Sequence, residues 1–351
     1  MKKRICFLSS FLVAMTLLIN LMPVTDAKAE VSKEGWPKVF VTTGMKLGAG
    51  GTVFMSALTK ETREKLGVSG QVREAAGPVQ QVIDLAKGGS MVASGNTQVA
   101  SDAWSGEGGF ATHGRLTNIR GLLLLYPGAM HWMTRPTGIK TVRDWKGRKI
   151  QYLMPGVRFR ELIVDALLEF NGMTRGDIVA LPLESAREGA ENLKHGLVDV
   201  ICWPGSPAGH PSIKKLASET ALYFITFTDA EVKFVTDKLS WSSPVSYPAG
   251  SYKGQGHDVQ EPGYLFGAYI SAELPASFVY QLCKIMFDDV GKDTSGHFTQ
   301  YHKSFTWNLN FQMENPIVIP WHEGCVQYFK DRGVWTPKME SRQKKLLAGM
   351  R

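Results

Sequence analysis

The sequence predicts an α/β fold in two lobes, each with a mostly parallel sheet that is flanked by helices. Its 351 residues are 44% hydrophobic and 21% charged, which supplies apolar side chains for more than one small core. Short apolar runs alternate with helical patterns from residue 38 onwards, as they do in sheets covered by helices. The 36 glycines, 17 prolines and four cysteines exclude collagen-like repeats, low-complexity disorder and a disulfide-rich miniprotein.

The first 29 residues have the features of a secretory signal peptide. Three basic residues precede the apolar run 5–21, and Ala27-Lys28-Ala29 is a small-x-small cleavage site. We therefore expect export to the periplasm, with cleavage after Ala29. An uncleaved membrane anchor is the alternative, although two serines interrupt the run and it is short for a membrane span.

The formal charge of +8 raises the question of a nucleic-acid partner. Removal of residues 1–29 takes away four basic residues and one acidic residue, so 40 and 32 become 36 and 31, a net charge of +5. The remaining basic residues are scattered, and the densest run lies in a helical pattern at 342–351. This distribution argues against nucleic acid as a partner.

The first lobe is predicted to begin with three strand and helix units. Strands are expected at 38–43, 71–75 and 90–93, followed by helices at 53–66, 79–86 and through Val99 and Ala103. Two more strands are expected at 122–125 and 131–134. Arg135-Pro136-Thr137-Gly138 then breaks the pattern, and we place a crossing between lobes there.

The second lobe is assigned to residues 136–224, and the first lobe to 30–135 together with 225–351. Thr141 is a predicted N-cap, with Asp144 three residues later. Strands are predicted at 149–153, 179–182 and 198–201, with helices at 160–170 and through Ala186, Ala190 and Leu193. From 223 the chain is rich in Pro, Gly and Tyr before it becomes helical again, and we interpret this part as a return to the first lobe.

Small residues at the junctions between strands and helices predict an anion-binding cleft. Free backbone N–H groups at a helix N-terminus attract anions, and in an open sheet these junctions lie at the carboxyl ends of the strands. Glycine-rich loops also occur there for packing alone, so each junction has an equal alternative. The candidates are Gly50, Gly51 and Thr52, then Gly77, Pro78 and Val79, then Asn96 and Thr97, and finally Gly156-Val157-Arg158.

Arg158 and Arg160 lie at the start of a predicted helix, where the helix dipole disfavours a cation. One interpretation is that they face solvent or pair with Glu161 or Asp165. The other, which we favour for Arg158, is that a guanidinium binds a ligand carboxylate in the cleft. Three further residues complete the candidate site as apolar or polar walls, although buried aromatic rings are as often core: Phe54, Trp203 and Ser206.

The sequence carries no catalytic motif that we recognise. The glycines at 44–51 fit neither a dinucleotide fingerprint nor a phosphate-binding Walker loop. Gly205-Ser206 lacks the frame of a nucleophile elbow, and His322-Glu323 lacks the second histidine of a zinc protease. We therefore predict no catalytic residue, no metal and no cofactor.

Three cysteines follow the predicted signal peptide, at spacings that match no zinc or redox motif. A disulfide between Cys283 and Cys325 is one interpretation for an oxidising compartment. Three buried thiols are the favoured alternative.

Several blocks, in this order, are similar to the TAXI-type solute receptors of tripartite ATP-independent periplasmic (TRAP) transporters. The resemblance spans nearly all of the chain after the signal peptide, and the last block is the most specific. The blocks lie at 43–52, 85–89, 138–150, 193–199, 252–255 and 320–329, the last reading Pro320-Trp321-His322-Glu323-Gly324-Cys325-Val326-Gln327-Tyr328-Phe329.

The resemblance implies a type II-like periplasmic binding protein whose two lobes close on a ligand like a Venus flytrap. In this family the ligand is typically a small organic anion, a carboxylate such as glutamate or 2-oxoglutarate. The receptor would pass it to a TRAP membrane permease without any covalent step. Ligand binding would shift the equilibrium between open and closed forms.

Three loops depart from the family pattern. Val53 and Phe54 stand where two aromatic hydroxyl residues are usual, and Gly77-Pro78 replaces a common Gly-Ser. The loop at 155–160 carries arginines where Ser-Gly-Thr is frequent. We therefore expect a carboxylate that is more apolar or aromatic than glutamate, anchored by Arg158.

Other classes of function remain as alternatives. A receptor of an ATP-driven (ABC) importer has the same fold and the same export signal. A secreted enzyme on this scaffold would turn over its substrate, whereas a receptor is only stabilised by its ligand. An adhesive role is disfavoured because the chain lacks repeats.

Overall fold

The strands of the protein are divided between two sheets that are connected by crossing segments. The computed structural model describes residues 32–45, 50–154, 157–207, 210–288, 296–302, 304–315 and 317–349. The predicted signal peptide lies outside these residues. No helix in the described ranges combines the length and the hydropathy needed to cross a membrane.

The N-terminal part alternates strands and helices as the sequence pattern predicts. The elements are β1 (Val39–Gly44), α1 (Gly50–Leu66), β2 (Ser69–Glu74), α2 (Pro78–Ala86), β3 (Val92–Asn96), α3 (Thr97–Ser105) and β4 (Ile119–Gly128). β1 and β3 are largely buried, whereas the edge strand β2 is polar and mostly exposed, and a helix follows each of these strands.

The middle of the chain forms the second sheet and its helices. Asp144 caps a short 3-10 turn there by accepting hydrogen bonds from the N–H and the hydroxyl of Thr141, at 2.8 and 2.9 Å, which confirms the predicted cap. The elements are β5 (Trp132–Thr134), β6 (Lys149–Leu153), α4 (Arg158–Phe170), β7 (Val179–Pro182), α5 (Ala186–Lys194), β8 (Val200–Cys202), α6 (Pro211–Glu219), β9 (Tyr223–Phe224) and α7 (Asp229–Lys238).

The last part returns to the first sheet and covers it with helices. Its buried strand and apolar helix faces complete the larger core. The elements are β10 (Ser242–Tyr247), β11 (Val259–Ser271), α8 (Ala276–Phe287), α9 (Leu309–Glu314), α10 (Glu323–Asp331) and α11 (Pro337–Ala348).

The first sheet has the strand order β10-β11-β3-β1-β2. β4 also pairs with β11, along the edge opposite β3. β1 pairs in parallel with β2 and β3, whereas β11 is antiparallel to β3, β10 and β4. The second sheet has the order β7-β6-β8-β5-β9, with β6 parallel to both of its neighbours and β5 antiparallel to β8 and β9. The predicted α/β class is confirmed. The sheets are mixed because the strands at each crossing enter antiparallel.

The second sheet runs from Trp132 in β5 to Phe224 in β9. Its first strand therefore starts shortly before the predicted lobe limit at 135, and its last strand ends at the predicted limit of 224. The exact limits of the two lobes stay a prediction. Next to this sheet, Trp132 and Trp145 pack with ring centroids 5.0 Å apart, and both are fully buried.

The three described cysteines, Cys202, Cys283 and Cys325, are buried free thiols. The sulfur atoms of Cys283 and Cys325 are 3.4 Å apart, where α8 packs on α10. This arrangement fits the favoured interpretation of buried thiols.

Candidate functional site

The first junction brings the N-terminus of α1 close to two strands. Gly51 is buried, and a Cβ atom there would lie 2.5 Å from the Ser94 hydroxyl oxygen and 3.1 Å from Cζ of Phe266. Glycine is therefore needed for α1 to approach β3 and β11. Thr52 donates its hydroxyl to the Met45 carbonyl at 3.0 Å and fixes the end of the loop.

Phe54 belongs to the core. Its side chain is fully buried, and its ring makes edge contacts with Phe305 and Trp307, with centroids 5.9 and 5.6 Å apart. The sequence analysis left two interpretations for Phe54, a wall of the cleft or a core residue, and this packing favours the core.

The second junction is partly open. Gly77 precedes α2 in an extended conformation, and no atom lies within 4 Å of where its Cβ would be. Pro78 occupies the first helical position, where the missing N–H costs nothing. Val79 packs against Gly109 and faces the neighbouring helix α4 across a pocket.

The side chains of Asn96 and Thr97 form hydrogen bonds with backbone groups and do not face open space. The Asn96 side chain caps α3 by accepting the N–H of Val99 at 2.9 Å. The buried Thr97 hydroxyl donates to the Trp241 carbonyl at 2.7 Å and accepts the N–H of Leu265 at 3.2 Å. Both polar side chains are thus occupied by the fold itself.

Arg158 pairs with acids from the first sheet's helices. Its guanidinium is 3.2 Å from Asp102 of α3 and 3.7 Å from Glu107. Burial raises the pKa of Asp102, and the Arg158 charge opposes that rise. The adjoining pocket, about 220 Å³ in volume, is lined by Val79, Asp102, Arg158 and Glu161 among others. This pocket contains more acidic than basic groups and is a poor environment for an anion.

Arg160 differs from Arg158 in its exposure, its partners and its surroundings. Only 2% of it is exposed, and its guanidinium lies over the Trp203 ring, 5.2 Å from the centroid. It makes only long contacts, at 3.4 Å to the Tyr152 carbonyl and 3.5 Å to the Met154 sulfur. Its Nε has no hydrogen-bond partner, and no carboxylate pairs with it, among the residues that the structure describes. A guanidinium keeps its proton even when burial lowers its pKa, so Arg160 is a buried cation without a counter-charge there.

Trp203 and Ser206 follow β8 of the second sheet in the chain. Trp203 donates its indole N–H to His210 at 3.1 Å, and because this N–H lies in the ring plane, the bond leaves the ring face to Arg160. The Ser206 hydroxyl is 3.0 Å from the hydroxyl of Ser304, which belongs to the C-terminal part of the chain. Ser206 therefore contacts the C-terminal part of the chain, and both residues are partly exposed.

Two tyrosines that the sequence analysis did not single out complete this region. Tyr126 on β4 stacks on Phe266 of β11, with centroids 5.3 Å apart, and a Cβ at Gly50 would lie 3.0 Å from its hydroxyl. Tyr264 on β11 packs on Phe159, the residue next to Arg160, at 4.8 Å. Neither hydroxyl makes a hydrogen bond to a described residue.

Burial and neighbouring groups change the pKa values of these tyrosines. Burial raises the pKa of both phenols well above the ordinary value, so both stay protonated donors. Tyr126 and Glu261 raise the pKa of Tyr264 further, and Arg160 lowers it. Only the pairing of β4 with β11 brings the two tyrosines onto neighbouring strands, and no local sequence signal marks them.

A buried carboxyl lies at the crossing between the sheets. Glu261 on β11 accepts the N–H groups of Met130 and His131, at 2.5 and 3.2 Å, while its second oxygen has no partner among the described residues. Burial raises the pKa of Glu261 to about 8. His131 has an unusual positive φ of 48°. Its ring lies 3.0 Å from the Trp203 carbonyl and 2.9 Å from the Tyr252 hydroxyl, which holds the crossing chain in place.

The described residues contain no group of three or more His, Cys, Asp or Glu side chains that would hold a metal ion. Arg160 has no acidic partner among the described residues, and a guanidinium in that state can bind an oxyanion.

Comparison with protein families matches residues 47–333 to the model of the NMT1-like family. Three solved structures are similar in fold. A TctC solute binding protein from Polaromonas is 14% identical with a TM-score of 0.52, over 78% of this chain and 91% of that one. PhnD1 from Prochlorococcus marinus, in complex with methylphosphonate, is 9% identical with a TM-score of 0.50, over 85% and 100%. A Xanthomonas citri protein bound to ATP is 12% identical with a TM-score of 0.52, over 89% and 97%.

Proposed function

Because the chain belongs to the NMT1-like family and has the two-lobed fold of periplasmic binding proteins, we propose that it is an extracytoplasmic solute receptor for a small organic anion. The ligand would lie between the first lobe (30–135 and 225–351) and the second (136–224). Closure of the lobes would remove it from water. No catalytic step is needed for this function.

The observation that carries the proposal is the buried, uncompensated guanidinium of Arg160. An isolated charge in a protein interior is costly, and an arginine cannot discharge itself by losing its proton. A ligand oxyanion supplies the missing counter-charge through two parallel N–H···O bonds.

Arg160 is favoured over Arg158 as the anchor. The sequence-based proposal for Arg158 remains open to test, but its guanidinium is already paired with Asp102 and Glu107. The aromatic groups around Arg160, namely Trp203, Tyr264 and Phe159, also fit the expected ligand that is more apolar than glutamate. Gly50, Gly51 and the other junction residues would then shape the cleft around the acid group.

Binding assays on the mature protein test this proposal. Thermal-shift screening against monocarboxylates, dicarboxylates, amino acids, aromatic acids and neutral sugars should yield a melting temperature that rises with the concentration of an acid. Arg160→Ala should weaken binding of that acid at least tenfold, and Arg160→Lys less, whereas Arg158→Ala is the matched control. If a sugar alone stabilised the protein, the anion proposal would be wrong.

The permease would be of the TRAP type, with a receptor for an ABC importer as the second candidate. The sequence blocks similar to TAXI receptors support the first, and the shared fold is compatible with both. Uptake of labelled ligand into vesicles discriminates them, because a TRAP permease depends on an ion gradient and an importer of the second kind on ATP. N-terminal sequencing of the exported protein tests cleavage after Ala29.

A secreted enzyme is the remaining alternative. Prolonged incubation of the protein with the stabilising acid tests this alternative. A receptor should leave the acid unchanged in the product analysis, whereas an enzyme would convert it.

A further inference from the structure

Two of the three described cysteines lie side by side between two helices. The sulfur atoms of Cys283 on α8 and Cys325 on α10 are 3.4 Å apart, and both side chains are fully buried. Cys202 belongs to β8 in the other sheet, where its thiol donates to the Met130 carbonyl at 3.4 Å. We propose that Cys283 and Cys325 form a disulfide bond when the protein folds outside the cytoplasm, whereas Cys202 remains a thiol.

The backbones of α8 and α10 approach closely enough for such a bond. A Cβ atom at Gly324, the residue before Cys325, would overlap the Ala276 carbonyl oxygen and would lie 2.8 Å from the backbone nitrogen of Tyr280. Only glycine fits there, so the two helices are in backbone contact next to the sulfur pair. Disulfides join Cα atoms that are about 4–7 Å apart, and this closeness of the helices meets that requirement.

Aromatic rings fix the two helices together on the other side of the sulfur pair. Phe287, one turn beyond Cys283, stacks on Tyr328, one turn beyond Cys325, with centroids 5.7 Å apart. Phe287 also makes an edge contact with Phe329 at 6.0 Å. The two cysteines therefore face each other across an interface that is held on both sides of them.

The bond needs an oxidant, and an extracytoplasmic location supplies one in the form of disulfide donors. The thiolate of one cysteine attacks the donor disulfide and releases one donor thiol. The thiolate of the second cysteine then attacks the mixed disulfide and releases the other donor thiol. The donor gains two electrons, and the two protons end on its sulfur atoms. The inference rests on the location in the function proposed above, but it requires no ligand.

The exchange has to take place before α8 and α10 have packed. In the folded protein both thiols are shielded from water, and burial raises the pKa of Cys283 well above its usual range, so its reactive thiolate is not formed. We therefore expect the bond to form during folding after export. Once formed, it should resist reductants, because they cannot reach it in the native protein.

The bond would stabilise the C-terminal part of the chain. It joins residues that are 42 positions apart, and a cross-link over such a loop restricts the unfolded chain. The described part of the loop includes Ser304, which contacts Ser206, and the rings of Phe305 and Trp307, which pack on Phe54 of α1. The cross-link would thus secure the segment that connects α1 with the loop after β8.

Thiol labelling of the exported protein tests the inference. The full chain is made with its own leader, isolated from the periplasm and unfolded with excess N-ethylmaleimide in the absence of reductant. Peptide mass spectrometry should then find the label on Cys202 only. Cys283 and Cys325 should occur in a linked peptide pair with two hydrogens fewer than the separate thiol peptides. Reduction before labelling should place the label on all three residues.

Two variants and a melting experiment extend the test. Cys283→Ala should abolish the linked pair and leave Cys325 labelled, whereas Cys202→Ser is the matched control and should keep the pair. The oxidised wild type should melt about 5 °C above the same protein after reduction and refolding. Cys283→Ala should show no such difference.

The outcomes separate this inference from the receptor function. Labelled thiols at both Cys283 and Cys325 in the exported protein, or a bond that involves Cys202, overturn the inference and leave the receptor function intact. A linked pair in a protein that binds no acid leaves the inference intact and contradicts the receptor function. If the chain is not recovered outside the cytoplasm, the proposed location is wrong and the inference fails with it.

Discussion

Arg160 on α4 and Glu261 on β11 are both buried ionisable side chains, but their surroundings compensate the charge differently. Glu261 is met by two backbone N–H groups of the crossing chain and can also be neutralised by a proton, since its pKa is about 8. Arg160 has only long contacts and keeps its proton.

The difference indicates which buried charge belongs to the fold and which to a ligand. A carboxyl that the backbone binds, and that protonation can discharge, is stable without an outside partner. A guanidinium without an acid stays costly until an anion arrives. The same test separates Arg160 from Arg158, which has its acids in place.

The first test of this comparison concerns the stability of the ligand-free protein. Replacement of Arg160 by Met removes an unpaired buried cation and should raise the free energy of unfolding by about 1–4 kcal/mol. Arg158→Met is the matched variant, and it should lower that free energy by about 1 kcal/mol because Asp102 loses its partner. Urea unfolding measures both. A destabilised Arg160→Met protein would mean that the protein itself compensates this charge.

The next effect is a pH dependence that Glu261 confers. Folded Glu261 holds its proton up to about pH 8, while the unfolded side chain loses it near 4.5, so its contribution to stability is complete below 4.5 and is lost as the pH rises to 8. The slope for one proton is about 1.4 kcal/mol per pH unit. Glu261→Gln should remove this fall, and the exposed Glu273→Gln should not.

The window from pH 6.5 to 8 is the cleanest for this measurement. Burial lowers the pKa of His131 and His322 to about 4, so these histidines make stability rise between pH 4 and 6.5, against the effect of Glu261. Above 6.5 their contribution is constant. Equal slopes for wild type and Glu261→Gln in this window would show that Glu261 is ionised in the folded protein.

The smallest effect is expected at Asp102. Asp102→Asn removes the charge that pairs with Arg158, but that guanidinium is 42% exposed and water can replace the lost partner. We expect a change in the free energy of unfolding below about 1 kcal/mol and a ligand affinity within about twofold of wild type. A large loss of affinity would return Arg158 to the role of anchor.

Local patterns were sufficient to predict much of the fold. The strand and helix units from β1 to α3, and the Asp144 cap, follow from periodicity and capping chemistry within a few residues of each other. Antiparallel β11 was not predicted to join the centre of the first sheet, because its partners β3 and β4 are more than a hundred residues away in sequence.

The candidate site was predictable only in part for the same reason. The sequence placed two arginines at the start of one helix, but the acid that distinguishes them lies 56 residues earlier. Tyr126 and Tyr264 lie on neighbouring strands only through the pairing of β4 with β11. Phe54 was a candidate because it follows the candidate junction Gly50-Gly51-Thr52, whereas its ring is packed in the core.

The way Glu261 holds the crossing chain has a consequence for hydrogen exchange. Amides within a sheet exchange with solvent when the sheet opens, whereas the amides of Met130 and His131 are bound by a single side chain. Because both residues are fully buried, their exchange requires that this carboxyl moves away and that water reaches the crossing segment. Deuterium uptake at these two positions would count local openings of the crossing segment while both sheets stay intact.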